Sequence, residues 1–398
     1  PVGQAILFEA FPPHKRGMSM ALVGMGAMLA PMLGPTIGGY LVESLNWRWI
    51  FYVNLIPGLL ATFAAFAILR ENPLRKVPFD FPGFLAMALF LTTILMGVSQ
   101  GNAKGWDSPY ILGLFASAAI AFGAYLLIEF SVEHPVTDLT LFRYPTYTAG
   151  TIASIIMGVG LFGGVFLQPL FLQTQMGYDA IQTGLLMIPQ GLTMGLMMPL
   201  AGALNQRVDP RILMSLGLGT LGASLVWQGA MSPDTPTERM IIGWTIMRSV
   251  GMALAFPAMN QTTLGSVPLR QIGAASGLFN VTRNLGGTFG IALLSTFLTR
   301  RQVAHTAHLA QAASMGGQAP AFVAGLAQHM LTMGSSPDVA RIQAGAVMAM
   351  TLAKQAMVFA FQDAFIIAGV VVMGGILPSL FVKKVQAPSG AHAPVVLE

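Results

Sequence analysis

The stretch Ala30-Pro-Met-Leu-Gly34-Pro35-Thr-Ile-Gly38-Gly39 carries the most specific pattern in this sequence. It lies in an apolar run, 18–42, that is long enough to cross about 30 Å of hydrocarbon as a helix. Gly34 and Gly38 have the GxxxG spacing, which lets a second helix approach closely. The two prolines lack amide donors and should bend the helix. The stretch therefore predicts a bent membrane helix, with either a packing seam or a functional motif on its glycine face.

Further apolar runs of similar length follow along the whole chain. They cover 47–69, 82–101, 108–130, 146–174, 180–204, 211–231, 239–264, 271–299 and 356–382. Residues 1–11 resemble the tail of one more span. Runs this long do not fit the short alternating strands of a membrane barrel. The sequence therefore predicts an all-α polytopic membrane helix bundle.

Composition supports the same fold and excludes several functions. Of the 398 residues, 54% are hydrophobic and 9% are charged, and the mean hydropathy is +0.68. So little charge cannot cover a soluble protein of this size, so lipid must solvate much of the chain. The sequence has no cysteine, and it contains no P-loop, HExxH or GxSxG motif. We therefore expect no cofactor, no metal site and no enzyme activity.

The basic residues predict an orientation for the spans. With strict alternation, one side collects Lys15, Arg16, Arg70, Arg75, Lys76, Arg143, Arg207, Arg211, Arg270, Lys383 and Lys384. The short loops of the other side hold only Arg48, Lys104 and Arg239, and the long segment 300–355 adds Arg300, Arg301, Arg341 and Lys354 to that side. All five tryptophans fall near the second side: Trp47, Trp49, Trp106, Trp227 and Trp244. Positive charges prefer the cytoplasm and tryptophans prefer the interface. The C-terminus is therefore predicted to be cytoplasmic.

The segment 300–355 interrupts this regular pattern. It is rich in Ala, Gln, Gly and Met, and it is broken at MGGQAP and MGSSPD. We expect an external loop with one or two amphipathic helices, around 319–333 and 337–354. Its His305 and His308 have an HxxH spacing without a third ligand, so a solvated face is favoured over a metal site.

Three ionisable residues lie within apolar spans: Arg248, Arg283 and Asp363. Each is expensive in hydrocarbon unless it is paired or faces water, so they are candidates for proton coupling or for an intramembrane charge. Arg248 and Asp363 lie at similar depths from the outer side, about 13 and 10 Å. Asp363 is therefore predicted to neutralise Arg248. The alternative is that Asp363 caps its helix or reaches the headgroups.

Arg283 lies on a small-residue face of its span. The members recur every three or four positions: Gly273, Ser276, Gly277, Asn280, Gly287 and Gly290. A lipid-facing helix would not place its charge on such a face, so a cavity or a helix–helix contact is expected. A structural role and a role in substrate or proton handling both stay open.

Uncharged amides in the spans are candidates for lining a substrate cavity. They are Gln168, Gln175, Gln190 and Asn280. Amides suit bulky, weakly polar compounds, but hydrogen bonds between helices explain them equally well.

A resemblance to a known family rests on these stretches. The quoted stretch, followed by Asn46-Trp-Arg-Trp-Ile-Phe-Tyr-Val-Asn54, resembles the antiporter motif and next helix of the fourteen-span drug:proton antiporters (EmrB/QacA-like) of the major facilitator superfamily. Phe171–Tyr178, Arg283–Gly290 and Phe361–Phe365 resemble later parts of that family. The motif residues would be Ala30, Pro31, Gly34, Pro35, Gly38 and Gly39. The sequence departs at Ala30, where the family prefers glycine.

The resemblance implies a domain plan. Residues 1–70 would be the remnant of an N-terminal half, and 71–145 an inserted helix pair with its linkers. Residues 146–382 would form the C-terminal six-helix half with its external loop at 300–355, and 383–398 a cytoplasmic tail. The first three and a half helices of the fold would be missing.

The resemblance also implies a function. The intact protein would export hydrophobic or cationic drugs from the bacterial inner membrane, in exchange for protons, by alternating access. Relatives in double-membraned bacteria work with a periplasmic adaptor protein and an outer-membrane channel. An exporter of a metabolite, lipid or siderophore, or an inactive truncated fragment, are the alternatives.

Overall fold

A computed structural model describes residues 37–68, 80–132, 137–230, 238–315 and 318–383, with six single residues before residue 37. This part of the chain is helical. The helices are α1 Trp49–Tyr52, α2 Leu55–Ile68, α3 Phe81–Lys104, α4 Pro109–Glu129, α5 Pro145–Thr174, α6 Ala180–Arg207, α7 Pro210–Gly229, α8 Glu238–Gly265, α9 Ile272–Met315, α10 Gln318–Thr332, α11 Pro337–Gly374 and α12 Ile376–Leu380. Two short 3-10 turns, Leu139–Arg143 and Leu269–Gln271, precede α5 and α9.

Within the described ranges, eight helices are long and apolar enough to cross a membrane. Each corresponds to one of the predicted runs, which confirms the prediction of an all-α polytopic bundle. The predicted run 271–299 forms the first part of α9, which is more polar and is not among the eight. It nevertheless packs against α5 and α11. The run 18–42 lies mostly outside the described residues.

Polar residues at the span boundaries set where the helices begin. Asp179 accepts the backbone N–H of Gln182, and the Gln182 side chain accepts the backbone N–H of Asp179, so the two form a capping box at α6. Asp80 and Ser108 cap α3 and α4 through their side-chain oxygens. These caps satisfy amide donors that a helix start leaves free. The chain therefore turns sharply between spans.

Helices α5 to α9 and α11 pack into one bundle. Helix α7 packs against α8 and α11, α5 against α9, and α6 against α8. Large side chains fill the centre, and Trp244, Tyr147, Phe279, Phe361 and Phe365 are all buried almost completely. Helices α3 and α4 pack against each other, and α3 contacts α9.

Glycines let α7 approach two neighbours until the backbones touch. A Cβ at Gly222 would lie 2.7 Å from the carbonyl oxygen of Gly369 on α11. A Cβ at Gly217 would lie 2.6 Å from the carbonyl oxygen of Gly251 on α8. Small residues give membrane helices close packing that hydrophobic burial alone cannot supply. These contacts therefore fix the position of α7 in the bundle.

Polar contacts gather at one end of the bundle. Arg211 Nε donates to the carbonyl oxygen of Val382, and the Lys383 N–H donates to Thr146 Oγ1 at 3.2 Å. At the other end, Trp227 and Trp244 meet edge to face with their centroids 6.4 Å apart. Arg211 and Trp227 thus lie at opposite ends of α7, as strict alternation predicts. Which end faces the cytoplasm stays a prediction.

The segment 300–355 contains both predicted helices and a further helical stretch that the sequence did not predict, and its external position stays a prediction. Helix α9 continues without a break from Ile272 to Met315, and its 44 residues span about 66 Å. The helices expected at 319–333 and 337–354 correspond to α10 and the first half of α11. Alanine, glutamine and methionine favour helix strongly, which explains why the polar segment does not unwind.

Candidate functional site

Arg248 lies in the middle of the bundle. It is the tenth residue after Glu238, where α8 begins, and therefore about 15 Å along the helix. That depth is about half of the hydrocarbon thickness. The residue is 2% exposed. The guanidinium is thus enclosed almost completely by the surrounding helices.

The partners of Arg248 are two amides from two other helices. Its Nη2 donates to Gln168 Oε1 on α5 and to Gln190 Oε1 on α6 at 3.2 Å. Both glutamines are almost completely buried. The structure therefore brings together three of the residues that the sequence singled out separately.

Hydrogen bonds hold the two amides in this orientation. Gln168 Nε2 donates to Thr245 Oγ1 at 3.1 Å, so its oxygen must face the arginine. The Ser249 hydroxyl donates to the backbone oxygen of Gln190 at 3.2 Å. Sequence reasoning missed Ser249, although its position beside Arg248 in an apolar span was a usable indication. We call Arg248, Gln168, Gln190, Thr245 and Ser249 the arginine cluster.

In the described part of the chain, the charge of the arginine cluster has no acidic partner. Helices α5 to α9 contain a single acidic residue, Glu238, which is exposed at the start of α8. Within the described residues, Arg248 Nε and Nη1 are buried without a hydrogen-bond partner. A buried charge that only neutral groups contact is costly, and such groups in native proteins call for an explanation.

The predicted pair between Asp363 and Arg248 is wrong. Asp363 Oδ2 instead accepts from Arg301 Nε at 2.6 Å and lies 2.8 Å from His305 Nε2. The pairing follows from α9, which continues past its predicted end and carries Arg301 and His305 alongside α11. No group of three metal-ligand side chains occurs in the described segments. His305 therefore has a carboxylate partner, and its metal role is not supported.

Replacing Asp363 with asparagine is expected to lower the free energy of unfolding by about 1 kcal/mol, because ion pairs with this exposure are weak. Thermal unfolding of the purified protein in lipid nanodiscs measures the change. Glu238→Gln, which removes an exposed carboxylate without such partners, serves as the control. A loss above about 3 kcal/mol would mean that the Asp363 pair acts as a buried one.

Arg283 on α9 has partners different from those of Arg248. Its Nη2 donates to Asn280 Oδ1 at 2.7 Å, and its Cζ lies 5.2 Å from the ring centroid of Phe256 on α8. Its Nε and Nη1 have no hydrogen-bond partner in the described part of the chain. The ring face offers a weak electrostatic partner to the cation.

The small-residue face of α9 divides into two parts. A Cβ at Gly287 would clash with Cδ2 of Phe162, and one at Gly290 would lie 2.9 Å from Cα of Val159. This part therefore packs tightly on α5. A Cβ at Gly273 or Gly277 would meet nothing within 4 Å. The predicted face thus includes both a helix contact and an open surface.

The remaining candidate residues lie apart from the cluster. Gln175 ends α5 seven residues beyond Gln168, about 10 Å along the axis, and donates to Thr174 Oγ1 at 3.2 Å. In the antiporter motif, a Cβ at Gly39 would lie 3.2 Å from Cβ of Ala180. Ala30, Pro31 and Pro35 lie outside the described residues, so the roles of the motif stay predictions.

A groove of about 450 Å³ lies between α3 and α4 and has a different character. Its lining is almost wholly apolar, and it includes Leu85, Leu89 and Ile120. Lipid-facing helices leave such surfaces without any specific role. The polar chemistry is therefore in the α5–α8 core and not in this groove.

Comparisons with known proteins identify relatives of the whole chain. Residues 1–291 match the family model described as Major Facilitator Superfamily. The chain is 28% identical to the uncharacterized MFS-type transporter YhcA of Bacillus subtilis, over 97% of this chain and 73% of that protein. It is 32% identical to a multidrug resistance protein B homolog of Mycobacterium tuberculosis, over the full chain and 72% of that protein. The multidrug export protein EmrB of Escherichia coli is 27% identical over 78% of this chain and 61% of its own length.

Proposed function

The chain belongs to the Major Facilitator Superfamily, and from that premise we propose that it exports hydrophobic drugs in exchange for protons by alternating access. The family match makes it a multi-pass membrane transporter of small molecules and confirms the prediction that it is not an enzyme. The predicted resemblance to EmrB-like proteins is also confirmed, because several relatives are named as multidrug resistance or multidrug export proteins. The proton and the alternating access are the proposed part.

The arginine cluster is the observation that carries this proposal. It joins α5, α6 and α8 within the proposed C-terminal half, at the mid-depth at which transporters of this kind bind substrates. Each glutamine of the cluster adjoins a proline inside its helix: Gln168 precedes Pro169, and Gln190 follows Pro189. A proline frees a carbonyl and bends the helix at that point. The bends thus lie at the depth of the cluster, where a rocking bundle needs them.

We propose the same domain plan for this transporter as the resemblance implies. Residues 146–382 form the C-terminal half, 71–145 the inserted pair, and 1–70 part of the N-terminal half. The protein lies in a bacterial inner membrane, and the basic end of its bundle, with Arg211 and Lys383, faces the cytoplasm. An adaptor protein and an outer-membrane channel would complete the export route in a double-membraned cell.

Transport by proteoliposomes tests the proposal. Chloramphenicol is a suitable probe, because it is hydrophobic, uncharged and unable to carry a proton itself. Radiolabelled chloramphenicol should accumulate several-fold above protein-free liposomes when the interior is acidic, and nigericin, which dissipates the pH gradient, should abolish the difference. Equal levels with and without protein would overturn the proposal.

A second substrate class has one observation in its favour. A relative from Neisseria gonorrhoeae, 30% identical over 78% of this chain, is named fatty acid resistance protein FarB. Accumulation of labelled oleate without accumulation of chloramphenicol would favour a lipid exporter on the same scaffold. If the cargo is a metabolite or a siderophore, neither chloramphenicol nor oleate should accumulate in this assay.

A further inference from the structure

We propose that the arginine cluster is a subsite for the acidic group of a cargo molecule, so that the favoured compounds are hydrophobic molecules carrying a carboxylate. That the bound molecule is a transported cargo rests on the proposed export function. The subsite itself rests only on the surroundings of Arg248, and it specifies the charge of the bound molecule, which the export proposal leaves open.

Among the residues that the structure describes, the positive charge of Arg248 has no resident counter-charge. Arg248 contacts neutral amides, and the carboxylate expected to pair with it, Asp363, is held by Arg301 and His305. An unpaired guanidinium at mid-depth is among the most costly groups a membrane bundle can contain. An anion that enters the site would relieve this cost. A permanent cation would be repelled there, so this subsite disfavours the cationic part of the expected substrate range.

Two donors of Arg248 are free, and a glycine lies directly against one of them. Arg248 Nε and Nη1 are buried without partners among the described residues. A Cβ at Gly164 on α5 would lie 3.0 Å from Nη1 and 3.3 Å from Cδ of Arg248. Any larger residue at this position would press on the guanidinium. Glycine therefore lets the guanidinium lie against α5 without displacing Nε and Nη1.

Hydrogen bonds within the arginine cluster already hold the guanidinium in an orientation that can bind an oxyanion. Thr245 fixes the amide of Gln168, and Ser249 holds the backbone of Gln190. Both amide oxygens therefore hold Nη2 and leave Nε and Nη1 available. A guanidinium held in this way makes short, charge-assisted hydrogen bonds to a carboxylate without paying for reorientation. A neutral cage also lets the anion leave again, whereas a resident carboxylate would compete with it.

Binding of two ligands with the same chain length tests the subsite. Dodecanoate and dodecanol differ only in the acidic group, and buried Trp244, one turn before Arg248, reports binding by its fluorescence. The full chain is titrated in nanodiscs of zwitterionic phosphatidylcholine. We expect about tenfold tighter binding of dodecanoate than of dodecanol, the difference that one hydrogen bond to a charged group supplies.

Three variants separate the subsite from a general effect of charge. Arg248→Gln should bring the dodecanoate-to-dodecanol affinity ratio close to one. Arg239→Gln removes an exposed arginine from the same helix and should keep the tenfold ratio. Gly164→Ala keeps every charge but presses a methyl group against Nη1 and displaces the guanidinium, so it should lower the ratio several-fold. If Arg248→Gln does not fold, as judged by its unfolding curve, Gly164→Ala decides.

Several results would overturn the subsite. These are a ratio near one in the unmodified chain, and an unchanged ratio in Arg248→Gln or, where that variant is unfolded, in Gly164→Ala. A third is loss of the tenfold ratio in nanodiscs containing phosphatidylglycerol, which would assign the cluster to a lipid headgroup. The assay needs no gradient, so it is independent of export. Chloramphenicol transport with a ratio near one would refute the subsite alone, and a tenfold ratio without transport would refute export alone.

Discussion

Replacing Gly222 with leucine is expected to leave little correctly folded protein. A Cβ at this position would lie 2.7 Å from the carbonyl oxygen of Gly369 and 3.2 Å from the backbone nitrogen of Met373. Backbone atoms cannot rotate away as a side chain can, so α7 and α11 would have to separate. Overpacking of this kind costs about 3 kcal/mol or more. Size-exclusion chromatography and the midpoint of thermal unfolding measure the loss.

Gly195→Leu is the matched control for this substitution. Gly195 lies on α6, and a Cβ there would meet nothing within 4 Å. The same gain in side-chain volume should therefore leave yield and unfolding midpoint close to those of the unmodified chain. Equal losses in both variants would show that leucine harms these helices for reasons other than the α7–α11 contact.

Replacing Arg248 with methionine is expected to reduce transport about 100-fold while the protein stays folded. Loss of a hydrogen bond from the charged guanidinium to the cargo, worth up to about 3 kcal/mol, accounts for that factor. Stability should change little, because two effects oppose each other. The variant no longer buries an unpaired charge, but it leaves the oxygens of Gln168 and Gln190 without their donor.

Transport and unfolding must be measured on the same preparation to interpret this variant. Arg239→Met, an exposed substitution on the same helix, should retain both transport and stability. Full transport per folded molecule in Arg248→Met would show that the arginine only supports the bundle. A fall in transport that matches the loss of folded protein would lead to the same conclusion.

The helices were predictable from sequence because lipid imposes a simple rule on the chain. A segment that crosses hydrocarbon must be long, apolar and internally hydrogen-bonded, so each span is visible as a run of residues. Helix α9 obeys this rule least well, since Arg283 and its polar neighbours lower its apolar character. Its packing against α5 and α11 shows that burial among protein helices can replace lipid exposure.

The arginine cluster was predictable only as separate residues. Arg248, Gln168 and Gln190 were each singled out because polar groups are costly in a span. The contacts between these residues were not predictable, because Arg248 lies 80 residues from Gln168 and 58 residues from Gln190 along the chain. Contacts across such separations depend on how the helices pack.

The error over Asp363 has a specific cause. The predicted pairing of Asp363 with Arg248 assumes that the helix of the run 271–299 ends near residue 299. Helix α9 instead continues to Met315 and carries Arg301 and His305 alongside Asp363. Helix propensity in an alanine-rich segment was the observation that could have corrected the prediction.

The coupling of cargo to protons is the central claim, and the internal pH of proteoliposomes tests it most directly. Vesicles containing the full chain and a trapped pH-sensitive dye receive external chloramphenicol with no imposed pH gradient. If cargo exchanges for protons, entry of the drug drives protons out, and the internal pH should rise above that of protein-free vesicles. Arg248→Met vesicles should show no such rise. Entry of chloramphenicol through the unmodified protein at constant internal pH would contradict the account.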